Sequence, residues 1–241
     1  MNESCAATIR ILEFGLPEPG RWRDLLYEDM QTTRICLVRH GETAWNADKR
    51  IQGQIDVGLN AAGLAQAEAA ASWLSGQAVA ALYSSNLLRA RQTAECIAAS
   101  LHLIPTFRSE FRERRYGLFE SLTYDESRAR YPAEYRLFET RDPDFVIPYG
   151  GESLRQLHER VSTGLLRVAA DHRGQIIVVV THGGVLDIVN RLVRGNSLSR
   201  PRDFLIPNAG INWISVAGDH WNLEAWGDTE HLTVVGLDEL P

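Results

Sequence analysis

The sequence predicts an α/β fold: a three-layer sandwich whose mostly parallel central sheet is covered by helices on both faces. Short runs of branched apolar residues alternate with helical stretches along most of the chain, the pattern of a doubly covered sheet. The strongest run, Ile176-Ile177-Val178-Val179-Val180, is apolar at every position, as a strand buried on both faces should be. A length of 241 residues with 44% hydrophobic content fits one large domain with an ample core.

The first residues stand apart. Leu16-Pro17-Glu18-Pro19-Gly20 is a turn or linker signal, and Trp22 to Met30 supports a short helix at most. Residues 1–29 are therefore expected to form a loosely packed N-terminal extension, with 30–241 as a single domain. Met30 stands just before the first strand, so one reading has the native protein begin there. Glu3, Arg10, Glu13 and Glu18 interrupt any continuous apolar stretch of the kind a signal peptide needs.

The elements then follow in order. Arg34 to Val38 reads as a strand. An alanine-rich helix runs to Leu74, with Asn60 as its N-cap and Gly76 as its C-cap. Ala80 to Tyr83 is a second strand, Leu87 to Ser100 a second helix, and Ile104 to Phe107 a third strand. The polar stretch from Ser109 to Gly151 holds one helix, around Tyr124 to Phe138. Ser153 to His172 is a long helix opened by a capping box of Ser153 and Gln156. After the strand at 176–180, Val185 to Val193 is helical. Trp213 to Val216 and Leu223 to Trp226 close the fold as strands joined through a turn at Gly218-Asp219.

Charge and cysteine content narrow the function classes. A formal charge of -6 argues against a general affinity for nucleic acid or an anionic membrane, and no apolar stretch approaches a membrane span. Cys5, Cys36 and Cys96 form an odd, scattered set that supports neither a disulfide framework nor a zinc site, so the cytoplasm is the expected compartment. The seven histidines contain no H-E-x-x-H or comparable ligand pattern, and neither metal nor cofactor is expected.

The chemistry gathers where strands end. Ile35-Cys36-Leu37-Val38 runs directly into Arg39-His40-Gly41-Glu42-Thr43, and Val180 runs into Thr181-His182-Gly183-Gly184. Open α/β sheets bind ligands at the carboxyl ends of their strands. Alone, Arg-His-Gly is more often a solvated loop, but two strand-His-Gly junctions in one chain are hard to dismiss. If the two strands are neighbours, His40 and His182 meet. Between the junctions, Ser84 to Ala94 places a strand end, an N-cap and an early-turn arginine, Arg89, in sequence. A helix N-terminus already favours an anion, and Arg89 would strengthen that preference.

These residues resemble a known family, the histidine phosphatase superfamily, also called phosphoglycerate mutase-like. Arg39-His40-Gly41-Glu42-Thr43 with Trp45-Asn46 and Gln52-Gly53 looks like its signature. Leu87 to Ala94 resembles its second arginine motif, Phe111 to Gly117 its acid motif, and Thr181 to Gly184 its second histidine motif. Trp226 to Leu232 is similar to the tail of its phosphatase members, in which His231 would support the site rather than react. The other four histidines (His102, His158, His172 and His220) lie outside the motifs as surface or structural residues.

The resemblance implies a metal-independent hydrolase of small phosphomonoesters. His40 would attack phosphorus and carry a phosphohistidine intermediate. Arg39, Arg89 and His182 would surround the phosphoryl oxygens, and Glu113 would act as general acid and base. Asn46, Gln52, Gly53 and the backbone at Gly183 would complete the substrate site. A cofactor-dependent phosphoglycerate mutase is the alternative, because Glu113-Arg114-Arg115-Tyr116-Gly117 is close to the mutase form of the acid motif. Tyr149 to Ser153, the tail, and the shortness of the 117–150 segment favour the phosphatase. A weakly active phospholigand-binding protein is the third reading. One departure stands out: phosphatase members usually carry Gly-x-Trp-Glu-Gly where this chain has Gly117-Leu118-Phe119-Glu120-Ser121. Finally, the last hairpin offers an edge for a homodimer.

Overall fold

The computed structural model describes residues 32–232. The expected extension over 1–29 and the start at Met30 lie outside them, as do residues 233–241.

Strand β1 spans Thr33–Arg39, and a single helical turn, α1 (Ala44–Ala47), follows it. Then come α2 (Ala61–Leu74), β2 (Val79–Ser84), α3 (Leu88–Leu101) and the short β3 (Thr106–Phe107). Two small helices, α4 (Tyr124–Arg130) and α5 (Pro132–Glu139), lead to the long α6 (Leu154–Asp171). The chain finishes through β4 (Ile176–Thr181), α7 (Gly183–Arg194), β5 (Ile211–Ala217) and β6 (His220–Asp228). Together the strands form one sheet in the order β3-β2-β4-β1-β5-β6. The first four strands in the chain run parallel, and β5 and β6 are antiparallel to their neighbours. The expected three-layer, mostly parallel architecture is what the molecule has.

The pleat explains how one sheet builds two cores. Successive strand residues point to opposite faces. Ile35 and Leu37 of β1, with Ile177 and Val179 of β4, pack against α6 and α7. Cys36 and Val38, with Val178 and Val180, pack against α2 and α3. All eight are buried, which accounts for the continuous apolar runs. β1 hands on to the α2 side of the sheet and β4 to the α7 side. The two neighbouring strands thus diverge at their carboxyl ends and leave a crevice there.

Four local expectations need correction. The helix expected over Tyr124 to Phe138 is two helices, because Pro132 lacks an N–H and disfavours helical backbone before it; Tyr131 sits at φ -133°, ψ 60°. The third strand is only Thr106–Phe107, since Pro105 cannot donate to a ladder. The C-cap of α2 is Ser75, in ordinary helical conformation, rather than Gly76. The N-cap of α3 is Leu87, with no side-chain cap; the Asp56 carboxylate accepts from the Leu88 N–H instead.

Residues 117–150 make an excursion over one end of the sheet. Leu118 N–H donates to the Pro148 carbonyl at 3.0 Å, so entry and exit are pinned together. An aromatic cluster of Phe119, Tyr131, Tyr135 and Phe138 holds it together. Phe119 is fully buried and supplies the packing that the family's tryptophan would give. Ser121 adopts φ 71°, the left-handed conformation that a glycine takes without strain. A serine there costs roughly 1–2 kcal/mol of backbone strain.

Candidate active site

β1 and β4 are hydrogen-bonded neighbours with Arg39 opposite Thr181, so the residue after each strand end faces the other. The His40 and His182 rings lie with centroids 5.1 Å apart. Both rings are buried. Arg39, His40, Asn46, Gln52, Gly53, Arg89, Glu113 and Gly183 line a single cavity of about 590 Å³. His182 lies just behind that lining, against His40.

The His40 tautomer follows from its two partners. Nδ1 lies 2.7 Å from the Gly41 carbonyl, which can only accept, so Nδ1 carries the proton. Nε2 accepts from Arg89 Nε at 3.3 Å and is therefore the lone-pair nitrogen. Burial, then Arg89 and Arg39, hold the ring's pKa well below the usual 6.5. His40 is a neutral imidazole whose bare nitrogen faces the Arg89 guanidinium.

The backbone behind it is tied from both sides. His40 N–H donates to the Thr181 carbonyl at 2.9 Å, and the His40 carbonyl accepts from Asn208 Nδ2 at 3.0 Å and Ala209 N at 3.2 Å. Gly41 approaches the Gly63 backbone so closely that a Cβ would strike its carbonyl. His231 Nε2 donates to the Ala209 carbonyl at 3.0 Å, so the tail braces the loop that braces His40.

The arginines are fixed by carbonyls and not by carboxylates. Arg89 Nη1 and Nη2 donate to the Ile55 and Gly53 carbonyls at 3.0 and 2.8 Å. Arg39 Nη1 donates to the Ile206 carbonyl, and its Nε is buried with no protein partner. Burial pushes both guanidiniums down to about 10, which leaves them charged at neutral pH. Neither forms an ion pair among the described residues, so an anion entering between them meets two uncommitted positive charges.

His182 Nε2 sits 2.7 Å from Ser85 Oγ, while Nδ1 is buried with no partner. Burial, then Arg89, keep this ring neutral as well. With Ser85 donating to Nε2, Nδ1 is left as a free donor. Glu113 accepts from Arg114 N at 2.7 Å and from Gly184 N, near the start of α7, at 3.0 Å. Asn46 Oδ1 is taken by a capping box with Thr43, so its amide N–H₂ is the end left for a ligand. Gln52 has a buried Oε1 without a partner. Gly53, at φ 53°, contributes a carbonyl to Arg89. Among the described residues no group of three or more His, Cys, Asp or Glu side chains is placed to hold a metal. No helix among them is long and apolar enough to cross a membrane.

A family model, histidine phosphatase superfamily (branch 1), matches residues 35–229. The chain belongs to this superfamily. It is 40% identical to phosphoglycerate mutase-like protein 4 of Arabidopsis thaliana over 213 residues, covering 87% of this chain and 91% of that one. It is 37% identical to a metal-independent phosphoserine phosphatase of the same plant, covering 90% of each. The structure of Entamoeba histolytica phosphoserine phosphatase with 3-phosphoglyceric acid superposes with a TM-score of 0.75 at 27% identity, covering 83% of this chain and 99% of that one. The expected family and phosphatase class are both found.

Sequence reasoning on this histidine phosphatase missed three supports of the site. Ser85 was visible only as a strand end, and Asn208 lies in a stretch with no motif to mark it. Arg160 lies in a helix with no motif to mark it.

The paired neutral histidines make stability depend on pH. Unfolded, each titrates near 6.5; folded, each is depressed, so the unfolded chain binds more protons below that value. Their contribution is fully present above 6.5 and is lost as pH falls from 6.5 towards the folded values. The slope is about 1.4 kcal/mol per pH unit for each histidine. Denaturant unfolding between about pH 7.5 and 5.5 should show this fall, and His40→Asn should remove about half of the part that the pair contributes. A stability flat over that window would contradict the buried neutral pair.

Proposed function

We propose that this histidine phosphatase hydrolyses small phosphomonoesters through a phosphohistidine on Nε2 of His40. The carrying observation is the tautomer: Nδ1 bound to the Gly41 carbonyl at 2.7 Å leaves the Nε2 lone pair facing Arg89 and the cavity. In the first step Nε2 attacks phosphorus, the bond from phosphorus to the alcohol oxygen breaks, and Glu113 supplies the proton that the departing alcohol takes. Arg39, Arg89, His182 Nδ1 and the Gly183 N–H stabilise the charge on the phosphoryl oxygens. In the second step water attacks the phosphohistidine and gives its proton to Glu113; the nitrogen–phosphorus bond breaks and phosphate leaves.

For the alcohol, we favour one that carries a carboxylate. Arg114 lines the cavity and is only 5% exposed, yet it forms no ion pair among the described residues. Its Nε donates to the Glu152 carbonyl at 2.9 Å, and its guanidinium lies over Tyr116 and Phe138. A buried, unneutralised guanidinium is costly unless a substrate anion arrives. Phosphoserine and 3-phosphoglycerate both present such a group. Arg114→Met is expected to raise KM for these two by about tenfold or more and to leave a neutral phosphomonoester nearly unaffected. Equal losses on both kinds of substrate would remove Arg114 from the substrate site.

The mutase reading is kept by the same Arg114, since a phosphoglycerate fits either outcome. Incubation with 3-phosphoglycerate decides between them. Release of free phosphate supports the hydrolase; 2-phosphoglycerate without free phosphate overturns it. We also take the enzyme to be cytoplasmic, which the free Cys36 and Cys96 support. β6 at the sheet edge is the surface we assign to a homodimer.

A further inference from the structure

We propose that Arg160, on α6, is the positioning residue that sets Glu113 against the leaving alcohol. The proposal rests on reading Glu113 as the acid. Glu113 stands in an extended segment just before the 117–150 excursion, with no regular element of its own to hold it. Each backbone carbonyl from Glu110 to Glu113 nevertheless has a donor. Arg160 Nη1 donates to the Glu110 and Arg112 carbonyls, both at 2.8 Å, and Nη2 donates to the Glu113 carbonyl at 3.0 Å. Thr181 Oγ takes the intervening Phe111 carbonyl at 2.9 Å, and Gln54 Nε2 shares that of Glu113 at 2.9 Å.

The Arg160 fork is itself aimed by a buried carboxylate. Glu152 is 2% exposed and receives Arg160 Nε at 2.6 Å and Nη2 at 2.9 Å. The same residue joins the far side of the segment: its N–H donates to the Arg115 carbonyl at 2.9 Å, and its own carbonyl accepts from Arg114 at 2.9 Å. One planar guanidinium therefore ties the segment that carries the acid to the exit of the excursion. An ammonium cannot replace it, because three donors on one nitrogen do not span three carbonyls and a bidentate carboxylate. Moving the Glu113 backbone moves the carboxyl relative to Gly184 N–H and to the alcohol oxygen, while Arg39, Arg89 and both histidines keep supports that do not involve Arg160.

That separation gives the test. kcat/KM covers events up to departure of the alcohol, so it reads the acid only where the leaving group needs a proton. Glycerol 2-phosphate carries no carboxylate for Arg114, and its glycerol leaves as an alkoxide unless protonated; p-nitrophenyl phosphate releases a stable phenolate. Arg160→Lys keeps a charge for Glu152 and is expected to lower kcat/KM for glycerol 2-phosphate by roughly tenfold or more, but that for p-nitrophenyl phosphate by less than about threefold. Glu152→Gln should show the same split more weakly, and it carries the test if the lysine variant does not fold. Equal losses on the two substrates, or no loss, would overturn the proposal. Glu113→Gln, measured alongside, separates the two readings. If it shows the split and the Arg160 and Glu152 variants do not, Arg160 does not position the acid. If it shows no split, Glu113 is not the acid.

Discussion

Replacing His40 with Ala is expected to lower kcat/KM for phosphomonoester hydrolysis by roughly four orders of magnitude. On the proposed mechanism the alanine removes the nitrogen that takes the phosphoryl group, and no neighbour among the described residues is placed to stand in. His182, with ring centroid 5.1 Å away, shares Nε2 with Ser85, and its Nδ1 is placed as a donor. The fold should tolerate the change, because the contacts that hold the loop are made by the His40 backbone. Binding of inorganic phosphate should survive with Arg39 and Arg89 intact. Steady-state assays on phosphoserine and p-nitrophenyl phosphate check this, with circular dichroism to confirm folding. An activity within tenfold of the parent protein would place the nucleophile elsewhere.

Arg89→Ala should produce the second largest effect, a loss of roughly 10²–10³ in kcat, corresponding to about 3–4 kcal/mol of transition-state stabilisation. Three roles end together. The phosphoryl oxygens lose a cation, His40 Nε2 loses the donor that orients it, and the Gly53 and Ile55 carbonyls lose their partner. Because Arg89 is almost wholly buried, an alanine leaves a cavity and unpaired carbonyls, so stability should fall as well. Arg89→Lys distinguishes the contributions. It restores a charge, but one ammonium cannot reach both carbonyls and the ring, so recovery should be partial. Full recovery with lysine would show that only the charge matters.

The proposed catalytic corners were legible because each announces itself at a strand end. Arg39-His40-Gly41 and His182-Gly183-Gly184 follow apolar runs whose depth the composition alone reveals, and the topology makes those runs neighbours. The supports were not legible for a physical reason. Ser85, Asn208 and Arg160 act through hydrogen bonds to groups 97, 168 and 47 residues away, and nothing in local pattern encodes such pairings. The break at Pro132 was present in the sequence, yet the helical periodicity on either side of it masked the boundary. Ser121 shows the converse. Its departure from the family pattern was visible in the sequence, and its φ of 71° is the conformation a glycine would take freely.

The central claim is a covalent phosphoryl group on His40, and rapid quenching of turnover tests it directly. Enzyme mixed with phosphoserine, stopped under alkaline denaturing conditions and mapped by mass spectrometry should carry one phosphoryl group on the peptide containing His40. That group should be stable in base, labile in acid, and absent from the His40→Ala protein. Turnover with no phosphorylated peptide at any time, or with the phosphoryl group on another residue, would contradict the account.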